Sequence, residues 1–244
     1  TSYNGIQWVN RTAKEEVKMH AHTHGAESPA QTEGRLIRWA SHYDLMANIL
    51  TLGRIGRLRA LTVNNALLQP GEGVLDVGCG TGGVTIPAKL LVGENGRAAG
   101  IDPAPEMIAV ARRKAQRAGI EIDFRVGVIE SLPFPDETFD AVTSSLMMHH
   151  LPEHLQVKGL AEIKRVLKPG GRLLIADIVH ASRSLLGRFL TPLALHRALQ
   201  HGAREQFGIE DLPKLLEEAG FAEINQLKNR FLGIGFVRAT KPAV

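Results

Sequence analysis

The stretch VLDVGCGTGG, residues 74 to 83, decides how the rest of the chain is read. A short apolar run, Gly73 to Val77, has the composition of a strand buried on both faces, and it runs directly into a turn of glycines. Gly78, Gly80 and Gly83 satisfy the G-x-G-x-x-G spacing of a dinucleotide-binding turn, and an acidic residue, Asp102, follows twenty residues after Gly82. Strand, glycine turn and helix in this order form the first half of a βαβ unit.

Asp76, two residues ahead of Gly78, is out of place in a pyrophosphate loop, because a carboxylate beside the loop N–H groups repels phosphate. It suits a ligand that presents a cation, such as an amino group, while the glycines let the backbone approach closely. S-adenosylmethionine has an α-amino group, a sulfonium and no phosphate.

Outward from this stretch, short apolar runs alternate with helical patterns, the signature of a largely parallel sheet. Strands are expected at Gly73 to Val77, Arg97 to Asp102, Ile122 to Val126, Phe139 to Ser144 and Gly171 to Asp177. Helices are expected near Gly83 to Leu91, Ala104 to Ala118 and Leu155 to Val166, the last stopped by LKPGG. The tail predicts a helix from Glu210 to Ala219, closed by Gly220, and then a hairpin. The fold class is therefore α/β: a Rossmann-like, doubly wound, seven-stranded sheet, mostly parallel with an antiparallel last strand and helices on both faces.

Three segments surround this plan. Residues 1 to 34 read as a flexible polar extension in which His20, His22 and His24 alternate; a metal would need a fourth ligand that the tract lacks, and no metal site is assigned. Residues 35 to 69 form a helical cap, and 70 to 244 the main domain with a lid-like insertion near 179 to 207 that carries His180, His196 and His201.

Composition excludes several classes. The chain of 244 residues has a formal charge of +4 and 5% aromatic residues, too few for a stacking platform on single-stranded nucleic acid. Arg54, Arg57 and Arg59, and Arg112, Arg113, Lys114 and Arg117, read as solvated helix faces. The single cysteine, Cys79, excludes an intramolecular disulfide or a multi-cysteine metal site and fits a cytoplasmic protein. No stretch approaches the roughly 18 apolar residues of a membrane span.

VLDVGCGTGG resembles motif I of class I S-adenosylmethionine-dependent methyltransferases. Four further stretches agree with that family in order: GIDPAPEMI from Gly100, ESLPFPDETFDAVTSS from Glu130, EIKRVLKPGGRLLIADI from Glu162 and LLEEAGFAEI from Leu215. The resemblance implies S-adenosyl-L-methionine as cofactor, held by Asp76, Gly78, Cys79, Gly80, Asp102, Pro103, Met107, Val128, Ile129, Ser144 and Ser145. In it, Asp102 accepts hydrogen bonds from the ribose hydroxyls. Where the family often carries Gly-Asp-Ala-Glu, with the Asp on the adenine amino group, this chain has Gly127, Val128, Ile129 and Glu130, which leaves backbone and apolar contacts for adenine.

Upstream, ASHYDLMANILTLG, residues 40 to 53, resembles the entry helix of the ubiquinone and menaquinone C-methyltransferases, and the resemblance implies that Tyr43 lies near the methyl donor. That branch usually shows Arg-Asn after the fourth strand, where this chain has SSLMMHHLPEH. Ligands of open α/β sheets bind beyond the carboxyl ends of the strands, so His149 and His150 are candidates for proton transfer, alongside structural roles such as capping the next helix. Met147 and Met148 read as core or pocket wall.

The predicted activity is methyl transfer to a small, largely apolar acceptor: a quinol, phenol or thiol. The glycine spacing also leaves open a nicotinamide-dependent oxidoreductase, the altered adenine segment a non-catalytic cofactor-binding protein, and the basic balance an RNA methyltransferase. Nothing in the sequence sets the oligomeric state.

Overall fold

The computed structural model describes Thr32, Glu33, Ile49, Thr51, residues 53–179 and residues 208–243. Among these residues the strands are β1 (Gly73–Val77), β2 (Arg97–Asp102), β3 (Asp123–Val126), β4 (Phe139–Ser145), β5 (Leu167–Ile178), β6 (Ala222–Gln226) and β7 (Ile234–Thr240). The helices are α1 (Ile55–Asn65), α2 (Thr85–Val92), α3 (Pro105–Arg117), α4 (Glu153–Val166) and α5 (Leu212–Glu218). The seven strands form one sheet in the order β3-β2-β1-β4-β5-β7-β6. The first five are parallel to one another, and β7 runs antiparallel to both β5 and β6.

The alternation of side chains along β1 explains why helices flank the sheet on both sides. Leu75 and Val77 face a layer made by Leu160, Ile163 and Val166 of α4 and Leu212 and Leu216 of α5. Val74 points the other way, toward Leu58 and Val63 of α1 and Ala88 and Val92 of α2. All five β1 positions are buried, which is why the strand reads as an apolar run rather than an alternating one. Leu75, Leu160, Ile163 and Leu173 are completely shielded from solvent. Each such side chain contributes about 1.5–3 kcal/mol relative to exposure.

Boundaries differ from the sequence expectation where turns compete with elements. The β5 ladder starts at Leu167, opposite Phe139, and a register irregularity precedes the regular pairing of Ala141 with Arg172, so the LKPGG turn is absorbed into the strand. The second helix starts at Thr85 because Gly82, at φ +76°, still belongs to the turn. The last helix is trimmed to Leu212–Glu218, since Asp211 Oδ2 accepts from the Gly208 amide at 3.1 Å and closes a turn ahead of it. In the tail hairpin the more apolar strand takes the inner place: Phe236, Val237 and Ala239 of β7 are buried, while β6 lies at the edge.

This order puts the switch point between β1 and β4, from which β2 and β3 run outward on one side and β5, β7 and β6 on the other. A crevice there, beyond the carboxyl ends of the strands, is where open α/β sheets bind ligands. No helix among the described residues is long and apolar enough to cross a membrane.

Candidate active site

The glycine turn after β1 is held in place by the neighbouring strand. The amides of Gly78 and Cys79 both donate to the carbonyl of Ile101, at 2.9 and 3.0 Å. Gly78 has φ +74°, and a Cβ on it would sit 2.5 Å from Met147 Cγ, so neither its backbone nor its surroundings admit a side chain. At Gly80 the φ is +52° and nothing lies within 4 Å of a Cβ position, so its backbone faces open space. Cys79 is buried, and burial raises its thiol pKa well above the ordinary value, as suits a small packing residue.

Two carboxylates bracket the turn. Asp76 is 2% exposed and accepts from the hydroxyls of Thr85 (2.7 Å, Oδ2) and Thr143 (2.9 Å, Oδ1). Its burial pushes the pKa up to about 6; the threonine bonds oppose that shift and the Asp102 charge adds to it. Asp102, at the end of β2, accepts from the Gly80 amide at 2.9 Å and the Ala104 amide at 3.0 Å, and so ties the glycine turn to the start of α3. Burial raises its pKa too, against those two backbone bonds. A carboxylate has about four acceptor positions, so two amide bonds leave Asp102 room for further donors.

The cleft above the turn has about 750 Å³ of empty space that runs into open solvent. Of the residues the family resemblance assigns to the cofactor, Gly78, Gly80, Asp102, Pro103, Met107, Val128, Ile129 and Ser145 line it. A second chamber of about 470 Å³ adjoins it through Gly78, Gly80, Ser145 and Leu146, and here Asp76 and Cys79 contribute to the wall. Leu146 stands between the chambers with φ +56°, a strained conformation for a branched residue. Ser144 lies behind the wall: it is completely buried, its hydroxyl has no hydrogen-bond partner, and it lines neither chamber.

The two histidines after β4 separate in role. His150 lines the main cleft. His149 sits behind it, with ring centroids 3.9 Å apart, and is fixed by Asp177 at the end of β5. The buried Asp177 carboxylate lies 2.6 Å from His149 Nδ1 and accepts from the amides of His149 (3.1 Å) and Ile178 (2.7 Å). A carboxylate only accepts, so the hydrogen resides on Nδ1 and Nε2 of the neutral ring is left as an acceptor.

Sequence reasoning missed three charged residues. Asp177 carried a local signal, since it ends β5 as Asp102 ends β2. Arg59 was assigned to a solvated face; instead its guanidinium lies over Gly83, so close that a Cβ there would collide, and it lines the second chamber opposite Asp76. Glu130 lines the main cleft with one carboxylate oxygen buried and unpartnered. The other basic group is corrected in part: Arg113 and Arg117 are exposed, but Lys114 donates to Thr81 Oγ1 at 2.9 Å and Arg112 to the Phe124 carbonyl at 2.7 Å, so these two brace the site from α3. Tyr43, the His20, His22 and His24 tract, and His180, His196 and His201 of the expected insertion lie outside the described residues.

The donor set fits S-adenosylmethionine. Carboxylates lie at the glycine turn, at the end of β2 and after β3; an open backbone face at Gly80 lies between them; and no cluster of backbone amides free for a phosphate is needed. Comparison with known proteins agrees. Residues 74–171 match the family described as Methyltransferase domain. The chain is 30% identical over 212 residues to a demethylmenaquinone methyltransferase of a Geobacillus species, covering 79% of this chain and 88% of the relative. It is 32% identical over 203 residues to the ubiquinone/menaquinone biosynthesis C-methyltransferase UbiE of Teredinibacter turnerae, covering 75% and 80%. Its fold is similar to that of a SAM-dependent methyltransferase from Aquifex aeolicus, with a TM-score of 0.60 at 23% identity over 81% of this chain and 97% of that one.

Proposed function

The chain belongs to the class I S-adenosylmethionine-dependent methyltransferases, in the branch of the ubiquinone and menaquinone C-methyltransferases, and on that premise we propose that it methylates a reduced quinone or a related phenol on a ring carbon. The activity itself is methyl transfer from S-adenosyl-L-methionine to a small, apolar acceptor. The bound cofactor supplies an electrophilic methyl group on a positively charged sulfur.

The observation that carries the acceptor class is the His149–Asp177 pair seated behind His150 on an otherwise apolar wall of Leu146, Met147 and Leu151. An aromatic ring carbon becomes a competent nucleophile when the hydroxyl beside it loses its proton to a base; it takes the methyl group as the bond to sulfur breaks, and the hydrogen on that carbon then passes to the oxygen, which restores the aromatic ring and the hydroxyl. His150, which lines the cleft, faces the acceptor and takes the proton, and His149, oriented by Asp177, packs against its ring; such a base contributes on the order of 10²–10⁴ in rate. The apolar wall holds the ring in line with the methyl group and excludes water. Asp76 at the amino end, Asp102 at the ribose, and Gly78 and Gly80 beneath the cofactor hold the donor in this proposal, with Pro103, Met107, Val128, Ile129 and Ser145 packing around it.

The single buried cysteine supports a cytoplasmic location.

Label transfer from S-adenosylmethionine to a panel of reduced quinones, simple phenols and thiols tests the acceptor class. Quinols that carry an unsubstituted ring carbon beside a hydroxyl are expected to accept the methyl. Transfer only to thiols would overturn the proposal. Within the site, His149→Ala and His150→Ala are expected to leave cofactor affinity nearly intact while turnover on the quinol falls.

A further inference from the structure

The buried face of α4 is apolar at Leu155, Leu160, Ile163 and Val166, and Gln156 stands four and seven residues ahead of Leu160 and Ile163 on the same stripe. It is 1% exposed, at a position where the pattern calls for another apolar side chain. Burying an amide there is unfavourable unless its polar atoms find partners. The nitrogen uses both of its hydrogens: Nε2 donates to the carbonyl of Leu151 at 3.0 Å and to that of Met148 at 3.2 Å. The oxygen, Oε1, is buried and has no hydrogen-bond partner among the described residues. Turning the amide over would aim that oxygen at two carbonyl oxygens, so the two acceptors set its orientation.

Those two carbonyls flank His150 in the chain. Met148–His150 is a single 3₁₀ turn, closed by the amides of His150 on the Met147 carbonyl and of Leu151 on the Met148 carbonyl, both at 3.0 Å. So short a turn has little stiffness of its own. Side chains from two neighbouring elements hold it. Asp177 of β5 fixes His149 by its amide and its ring, and Gln156 of α4 fixes the backbone before and after His150. Between these two clamps His150 lines the cleft beside Met147 and Leu151, while Gln156 lines neither chamber.

A half-satisfied amide in an apolar stripe adds little stability that a methionine of similar length would not supply, because the two bonds it makes are offset by the oxygen it leaves unpaired. What it holds accounts for its presence. We infer that Gln156 is a positioning residue for His150: it fixes the backbone on both sides of the histidine so that the ring meets the acceptor hydroxyl, and it touches neither cofactor nor acceptor itself. The inference rests on the reading of His150 as the group that takes the acceptor's proton.

A double-mutant cycle on Gln156→Met and His150→Ala tests this in the full chain, with labelled S-adenosylmethionine, so that slow residual rates are measured, and a reduced naphthoquinone that has a free ring carbon beside a hydroxyl. Gln156→Met is expected to lower kcat by about tenfold to a hundredfold. KM for the quinol should stay within about threefold of wild type, S-adenosylhomocysteine affinity should be unchanged, and the melting temperature should lie within about 4 °C of wild type. In a His150→Ala background the same substitution is expected to change kcat by less than about twofold, because the ring it positions is gone. Gln156→Glu keeps the shape but offers the two carbonyls at most one hydrogen, and it is expected to show the same dependence on His150, which supplies the cycle if the methionine variant does not fold. Equal fractional losses of kcat with and without His150 would overturn the inference, as would a wild-type kcat in Gln156→Met beside a slowed His150→Ala. A wild-type rate in His150→Ala would instead overturn the reading of His150 as the base, and the inference with it. No turnover of this quinol by the wild-type protein would overturn the acceptor class first.

Discussion

Nδ1 of His149 lies 2.6 Å from Oδ1 of Asp177, joining the loop after β4 to the end of β5 at the mouth of the cleft. Two backbone amides share the same carboxylate, so the ring and the loop that carries it are fixed together. Asp177→Asn keeps the shape and an acceptor oxygen but allows the amide nitrogen to face Nδ1, which would reverse the tautomer and turn Nε2 into a donor. Turnover on a quinol acceptor is expected to fall by about 10²-fold or more, with S-adenosylhomocysteine affinity unchanged. Steady-state kinetics beside calorimetry separates the two; an equal loss in binding would make Asp177 a structural residue only.

The proposed contact between Asp76 and the cofactor's ammonium group requires the carboxylate to be ionised. Its pKa in the folded protein is pushed up to about 6 from 3.8. Below pH 6 the carboxyl is protonated, so S-adenosylhomocysteine affinity is expected to fall by about tenfold between pH 7 and pH 5. Asp76→Asn should bind weakly at every pH and abolish the slope. The folded state also holds this proton more tightly than the unfolded chain does. That contribution to stability is fully present below pH 3.8 and is lost as pH rises through about 6. Asp76→Asn is therefore expected to melt higher than wild type at pH 7, with the gap closing toward pH 4.

Gly78 and Gly80 make opposite predictions for the same substitution. Gly78→Ala meets Met147 in a positive-φ backbone and is expected to cost about 1–3 kcal/mol of stability, read from a denaturant titration. Gly80→Ala meets no neighbour, so its backbone cost is smaller, about 1–2 kcal/mol. Its main effect should be on cofactor affinity, because the new methyl group enters the open face of the turn. Comparable losses of affinity in two equally stable variants would contradict this division.

Much of this was legible in the sequence for a physical reason. Strands buried on both faces leave uninterrupted apolar runs, and a glycine turn leaves a spacing, so β1, the turn and Asp102 could be read from neighbours in the chain. What could not be read depends on distant partners. Arg59 looks like any solvated helix arginine until α1 is laid over Gly83. Lys114 and Arg112 sit in a basic run whose long side chains fold back onto Thr81 and Phe124. Glu130 has no distinguishing neighbour in the chain, and only burial of its oxygen marks it out. The start of β5 moved because pairing with Phe139 draws Leu167 into the ladder ahead of a Pro-Gly-Gly turn that reads as a break.

Asp102→Ala removes the one carboxylate that touches both the glycine turn and the start of α3. The Gly80 and Ala104 amides lose their acceptor, and in the proposed binding mode the cofactor loses its ribose partner. S-adenosylhomocysteine affinity is expected to weaken by on the order of 1.5–3 kcal/mol, and an unchanged dissociation constant would contradict the assignment.

The central claim is ring-carbon methylation of a quinol within this cleft. The most direct measurement is nuclear magnetic resonance of the product formed by the purified protein from isotope-labelled S-adenosylmethionine and a reduced naphthoquinone with one free ring carbon beside a hydroxyl. A labelled methyl bonded to that ring carbon is the predicted result. A label found only on oxygen, or none transferred by a protein that binds S-adenosylhomocysteine, would contradict it.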